Sequence, residues 1–266
     1  MTLTVENLTK RYGDTTALSE ISFEVPSGSF AVVLGESGAG KSTLLRILNG
    51  LTEPTSGSVY LDGQEITNSR SDVGMVFQQH NLVDELSAYD NALTGTLNRT
   101  GFVRSLLNRQ PLADRELALE ALETVGLLDE AGQKVTSMSG GQQQRVGIAR
   151  ALVQEPALLL ADEPVASLDP SSAETVMTYF RETATKRDLT TLASLHQVNI
   201  AREFGEQFIG LKNGEVMFVG SRAELTPSIL EEIYGDIQTE ELREGTEPTE
   251  STDPTGNAAT GIGANT

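Results

Sequence analysis

Cysteine is absent from this 266-residue chain, and it has only two histidines, His80 and His196. Disulfides and thiolate chemistry are therefore excluded. A zinc site would have to form without cysteine, and a histidine-built metal centre has too few ligands. Long apolar runs are missing too. The longest candidates, such as Ala157–Ala161, are strand-sized and fall short of the roughly 18 residues needed to cross a bilayer. The opening MTLTVENLTKRYG lacks the basic, apolar and small-residue order of a signal peptide. The expectation is a chain that stays inside the cell and meets a membrane only through a partner. Positive charge is scarce. The formal net charge is −19, and only five of the 19 basic residues are lysine. A nonspecific nucleic-acid-binding face is thereby disfavoured. Residues 236–266 hold seven acids against Arg243, a net of −6, which leaves −13 for the remainder. An acidic, lysine-poor surface suits a protein working in high salt, where charge repulsion is screened.

What is present is enough apolar material, 38% of residues, for a substantial core. The length fits one large α/β domain, or one domain carrying an inserted subdomain. Leu3–Leu8, Ile21–Val25 and Phe30–Leu34 read as strands separated by Gly, Asp, Ser and Pro. A glycine-rich loop follows at Gly35–Gly40, then a helix with Leu44, Leu45, Leu48 and Leu51 on its apolar face, ended by Gly50 and Pro54. SVYLDG and VGMVF are strand-like. From about Gln79 to Lys134 the spacing turns helical, with Leu112, Leu119, Leu122 and Val125 as the apolar face of one segment. A further helix is expected from near Ser139 through Val153, so the helical insert runs from about 79 to 154. Strand and helix then alternate: ALLLAD, Ser171–Lys186, TTLASL, Val198–Phe204. A hairpin turning on Asn213-Gly214 follows. From about Asp236 the chain is polar with almost nothing apolar, and residues 236–266 are expected to be disordered.

Two segments carry chemistry. GESGAGKST at 35–43 has the pattern of a phosphate-binding loop placed between a strand and a helix. Its glycines let backbone N–H groups surround phosphate oxygens. Lys41 can reach the β- and γ-phosphates, and the Ser42 hydroxyl can ligate Mg²⁺. The helix start adds its positive end. LLLADE at 158–163 is a buried strand ending in two acids. Asp162, at the strand's C-terminal edge, would hold Mg²⁺ directly or through water. Glu163 would polarise the attacking water as general base.

MSGGQQQR at 138–145 narrows the class. With it the sequence resembles the ATP-binding subunits of ABC transporters, whose signature is usually LSGGQ; Met138 stands where leucine is usual. The resemblance covers about residues 3–225. It implies an α/β fold, a P-loop NTPase (ABC ATPase) core with an N-terminal antiparallel β subdomain and an inserted α-helical subdomain, all within residues 1–235. It implies ATP and Mg²⁺ as cofactors. Gly35, Glu36, Ser37, Gly38, Ala39, Gly40, Lys41, Ser42 and Thr43 would hold the nucleotide phosphates, and Tyr12 would stack on adenine. Glu36 stands where many relatives carry proline. Ser139, Gly140, Gly141 and Gln142 would close over ATP bound to a second copy, in a head-to-tail dimer with two sandwiched nucleotides. Gln78 would touch Mg²⁺ and water and link core to insert, with Gln79 as the alternative. Ser167-Leu168-Asp169 would cross the dimer interface, and His196 would sense the γ-phosphate. Together Lys41, Gln78, Glu163 and His196 form the expected catalytic set, and Ser42, Gln78 and Asp162 the metal set.

A lone domain of this size without fused membrane helices resembles an importer subunit. That implies two membrane permease subunits as partners, a solute-binding protein acting through them, and a peripheral place on the cytoplasmic face of the cell membrane. VFQQHNLVDELSAYDNALTGTL, FVRSLLNR, ADEPVASLDP and SLHQV resemble the phosphonate importer ATPases. The alternatives are phosphate, methionine or another amino acid as cargo. ABC ATPases of DNA repair or translation typically carry long coiled-coil inserts or two ATPase domains in one chain, and neither is evident here.

Overall fold

The computed structural model describes residues 1–68, 70–78, 81–97 and 111–235. Gln79, His80, FVRSLLNR and the acidic stretch 236–266 lie outside the described residues. In chain order the strands are β1 (Leu3–Tyr12), β2 (Thr15–Val25), β3 (Phe30–Leu34), β4 (Ser56–Leu61), β5 (Gln64–Glu65), β6 (Val73–Val76), β7 (Leu158–Asp162), β8 (Thr190–Ser194), β9 (Gln207–Lys212) and β10 (Glu215–Ser221). The helices are α1 (Lys41–Leu48), α2 (Ala88–Leu93), α3 (Leu112–Thr124), α4 (Gly140–Leu152), α5 (Pro170–Lys186), α6 (Val198–Phe204) and α7 (Pro227–Tyr234).

Two sheets organise these elements. One is four-stranded in the order β2-β1-β4-β5, with all pairs antiparallel. The other is six-stranded in the order β10-β9-β3-β8-β7-β6, parallel except for the terminal β9–β10 hairpin. Its central strands β3, β8 and β7 are buried along their whole length because both faces are covered. Successive side chains in a strand point opposite ways. Accordingly Phe30, Val32 and Leu34 join one core cluster with the helices α2 to α7, while Ala31 and Val33 join a second with α1 and the antiparallel sheet. This is the α/β fold with an antiparallel β subdomain implied by the sequence. Helices α2, α3 and α4 fall between β6 and β7 and pack on one another.

Several local expectations change. β1 and β2 run well past Leu8 and before Ile21, because Asn7 and Glu20 adopt positive φ and the pairing shifts register there, so the apolar alternation stops while the hydrogen bonding continues. Helix α1 ends at Leu48, and Leu51 lies beyond it, 55% exposed. In α3 the buried face is Asp114, Ala118, Ala121 and Leu122, whereas Leu112 and Leu119 point to solvent at 75% and 40% exposure. Helix α7 is an element the spacing did not announce. Thr226 caps it and Pro227 occupies its first position, a start signal readable in TPSILEEIY.

Candidate active site

The loop after β3 folds back so that α1 begins at Lys41. Gly40 makes the turn at φ 107, and a Cβ there would lie 2.7 Å from the Ala17 carbonyl oxygen. Only glycine fits that position. The outcome is a cleft of about 380 Å³ lined by Ala17, Ser37, Gly38, Gly40, Lys41, Ser42, Thr43, Gln78, Glu163 and His196. Residues more than a hundred positions apart thus face one space, at the C-terminal edge of the parallel strands, where ligands bind in such sheets.

Lys41 is buried, with its ammonium donating to the carbonyls of Gly35 at 2.7 Å and Glu36 at 3.1 Å. It also lies 3.8 Å from Glu163 Oε1. Burial pushes its pKa below the ordinary lysine value, against the opposing pull of the Glu163 and Asp162 carboxylates. Glu163 Oε1 also contacts His196 Nε2. Glu163 itself sits at φ 49, a left-handed conformation that costs a non-glycine residue on the order of 1 kcal/mol or more.

Asp162 is buried behind the cleft, and its Oδ1 accepts hydrogen bonds from Ser42 Oγ at 3.0 Å and Ser194 Oγ at 2.9 Å. Ser194 also accepts the Glu163 N–H at 2.9 Å, so one hydroxyl ties down both acids. Sequence reasoning missed Ser194, since a serine inside TTLASL reads as strand filler. Its importance comes from pairing, because β8 lies beside β7 with Ser194 opposite Asp162. Ala17, at the cleft wall, was missed for the same reason.

Ser42 lines the cleft with Gln78 and bonds Asp162 behind it, and the oxygens of these three side chains are of the kind that suits a hard divalent cation such as Mg²⁺. Gly35, Glu36 and Ala39 contribute backbone to the loop but are not among the lining residues. Tyr12 also stands apart from that lining. It is half-exposed near the end of β1, with Lys10 Nζ 4.9 Å from its ring centroid.

Ser139, Gly141 and Gln142 line a different hollow, shared with Arg145 and with Ser171, Ser172, Thr175 and Val176 of α5. Ser139 caps α4. Its side chain accepts the Gln142 N–H at 3.3 Å, and the Gln142 side chain accepts the Ser139 N–H at 2.9 Å. This reciprocal cap leaves Gly140 and Gly141 at the positive end of the helix without side chains to obstruct an anion. Asp169 caps α5 by accepting the Ser172 N–H at 3.1 Å, and the hydrogen bonds from Ser172 hold its carboxyl below the usual range.

The family model described as "ABC transporter" matches residues 18–166, from the cleft wall through the paired acids. The chain is 61% identical to the phosphonates import ATP-binding protein PhnC of Halobacterium salinarum, covering 95% of this chain and 90% of that protein. It is 48% identical to the protein of the same name from Thiobacillus denitrificans, over 87% and 92% of the two chains. A dimeric post-hydrolysis structure of the ATP-binding cassette MJ0796 bound to ADP and Pi superposes with TM-score 0.70 at 34% identity, covering 83% of this chain and 98% of that one. The ADP conformation of the cassette MJ1267 superposes with TM-score 0.77 at 27% identity, over 92% and 99%. Loop, acids and capped signature helix thus occur here on a fold shared with solved ATP-binding cassettes, and the chain belongs to the ABC transporter family.

Proposed function

We propose that this chain is the ATP-hydrolysing subunit of an ABC importer for phosphonates. The observation that carries the ATPase reading is the single cleft in which Lys41, Ser42, Gln78, Glu163 and His196 meet, with Asp162 directly behind. The phosphate loop takes the nucleotide's phosphates on its backbone amides and Lys41. Tyr12 offers an exposed ring for the adenine. Glu163 accepts a proton from water as the water oxygen bonds to the γ-phosphorus. The bond from that phosphorus to the β–γ bridging oxygen breaks, and ADP and phosphate result. His196, already in contact with Glu163, orients that carboxylate and meets the γ-phosphate. Mg²⁺, held by Ser42, Gln78 and Asp162, would offset charge on the phosphate oxygens.

The chain acts as a head-to-tail pair. Ser139–Gln142 lie in a hollow separate from the phosphate-loop cleft. A second copy is the natural source of the helix end that closes each nucleotide, with Ser167–Asp169 at the seam. A dimeric cassette bound to ADP and Pi is the state described for MJ0796, which supports pairing. No described helix is long and apolar enough to cross a membrane. As the ATPase of an importer, the pair works against two permease subunits at the cytoplasmic face of the membrane, and a solute-binding protein delivers cargo to them.

The cargo reading rests on the similarity to the phosphonates import ATP-binding proteins of Halobacterium salinarum and Thiobacillus denitrificans. Deleting the gene should abolish growth on a phosphonate as sole phosphorus source while growth on phosphate continues. Complementation by the intact gene should restore growth, and complementation by a Lys41→Ala version should not. Normal phosphonate growth of the deletion strain would refute the cargo. Rescue by Lys41→Ala would refute the role of the loop.

A further inference from the structure

We propose that Tyr234 is a positioning residue for the phosphate loop, through which the seating of α7 and the binding of nucleotide are coupled. The inference rests on the phosphate-loop reading above. Gly35 is the first residue past β3, where the chain leaves the sheet and its amide loses a ladder partner. The Tyr234 hydroxyl accepts that N–H at 3.2 Å, a buried bond between residues 199 positions apart. On its other side Gly35 offers its carbonyl to Lys41 Nζ at 2.7 Å. Gly35 is thus held by a tyrosine from the last described helix and by the lysine that reaches for phosphate.

Helix α7 is seated firmly enough to serve as that anchor. Leu230, Ile233 and Tyr234 are all buried in the helical-side core, and Lys212 of β9 donates to the Glu232 carbonyl. Burial raises the Tyr234 phenol to about 12, so the hydroxyl keeps its proton at working pH. When Lys41 turns to a phosphate, its bond to the Gly35 carbonyl is given up and Tyr234 remains. Without the phenol oxygen, the buried Gly35 amide has no acceptor, and a loop meant to be rigid is free to tilt. Coupling of this kind is reciprocal, so nucleotide must tighten α7 to the same extent that α7 tightens nucleotide.

The test is Tyr234→Phe in the full chain, which keeps the ring and removes only the oxygen. Titration with a fluorescent ADP analogue should show a dissociation constant raised about three- to tenfold, the span of one lost hydrogen bond. The ATPase KM should rise in parallel, while kcat at saturating ATP stays within about twofold. In the unaltered protein, ADP should slow amide exchange in residues 227–235, and in Tyr234→Phe that protection should shrink. Equal ADP affinity in the two proteins, or exchange in α7 indifferent to ADP, overturns the coupling while leaving the loop assignment intact. Failure of the unaltered chain to bind ADP at all would overturn the loop assignment itself, and this inference with it.

Discussion

Replacing Ser194 by alanine removes one oxygen from a fully buried site and severs two contacts at once. The Glu163 amide loses its acceptor at 2.9 Å, and Asp162 Oδ1 loses a donor at 2.9 Å. An orphaned buried donor costs about 1–3 kcal/mol, and a hydrogen bond to a carboxylate contributes about 1.5–3 kcal/mol. The two overlap, because a single hydroxyl makes both. Glu163 is also held at φ 49, so its amide bond is what restrains a conformation it would otherwise leave. If about 1.5–3 kcal/mol of this is expressed in the transition state, kcat falls roughly ten- to a hundredfold. Ser194 does not line the cleft, so KM for ATP should stay within about twofold. Steady-state phosphate release across an ATP series separates the two constants, and a thermal melt reports the folding cost independently. A variant whose kcat lies within threefold of the parent would refute the reasoning, even if its melting temperature fell.

Three other outcomes are expected. Glu163→Gln keeps the shape of the side chain but removes the base, and should accumulate an ATP-bound dimer on size-exclusion chromatography; a monomer in saturating ATP would count against the paired arrangement. Gly95→Ala would place a Cβ 2.2 Å from the Arg150 carbonyl oxygen and 3.3 Å from the Val153 Cβ, forcing backbone apart where the 3-10 turn Thr94–Thr96, just after α2, meets the end of α4. It should cost about 2 kcal/mol or more and lower the melting temperature by about 4–8 °C, whereas an unchanged melt would show that the contact gives way freely. The −13 carried by the chain before residue 236 should make the protein melt several degrees higher in 1 M than in 0.1 M KCl, as the screening length shrinks from about 10 to 3 Å; a flat response would remove the high-salt reading.

The phosphate loop and the paired acids were legible because their chemistry is local. A strand, a glycine-rich turn and a lysine are contiguous, and so are four apolar residues and two acids. Helix α3 was half read: Leu122 and Val125 are buried as expected, but large residues dominate any reading of periodicity and drew in Leu112 and Leu119 as well. It packs on α2 and α4, and beside Leu122 its buried apolar members are the small Ala118 and Ala121, which share one core cluster with Ala88, Ala92 and Ala149. Leu112 and Leu119 carry the apolar weight in the sequence yet face solvent. Ser194 and Tyr234 were invisible for a different reason. Each acts on a partner brought near by tertiary structure, one through the β7–β8 register and the other across 199 residues of chain. The signature segment at 138–145 was readable as a helix start, and its reciprocal Ser139–Gln142 cap follows the familiar Ser-x-x-Gln spacing.

The sheet order has a consequence for how the protein comes into being. β3 and β7, which deliver the loop and the acids, are not neighbours, because β8 lies between them. During synthesis the ribosome completes β3 at Leu34 and must add roughly 160 more residues before Ser194 closes β8. At about 5–20 residues per second that is a wait of about 8–30 s. Throughout it β3 lacks the strand that will join it to β7, and once β7 is complete at Asp162 both edges stay open until β8 follows. The growing chain is then at its most vulnerable to mispairing, and a nascent fragment ending before residue 190 should need shielding that the finished protein does not.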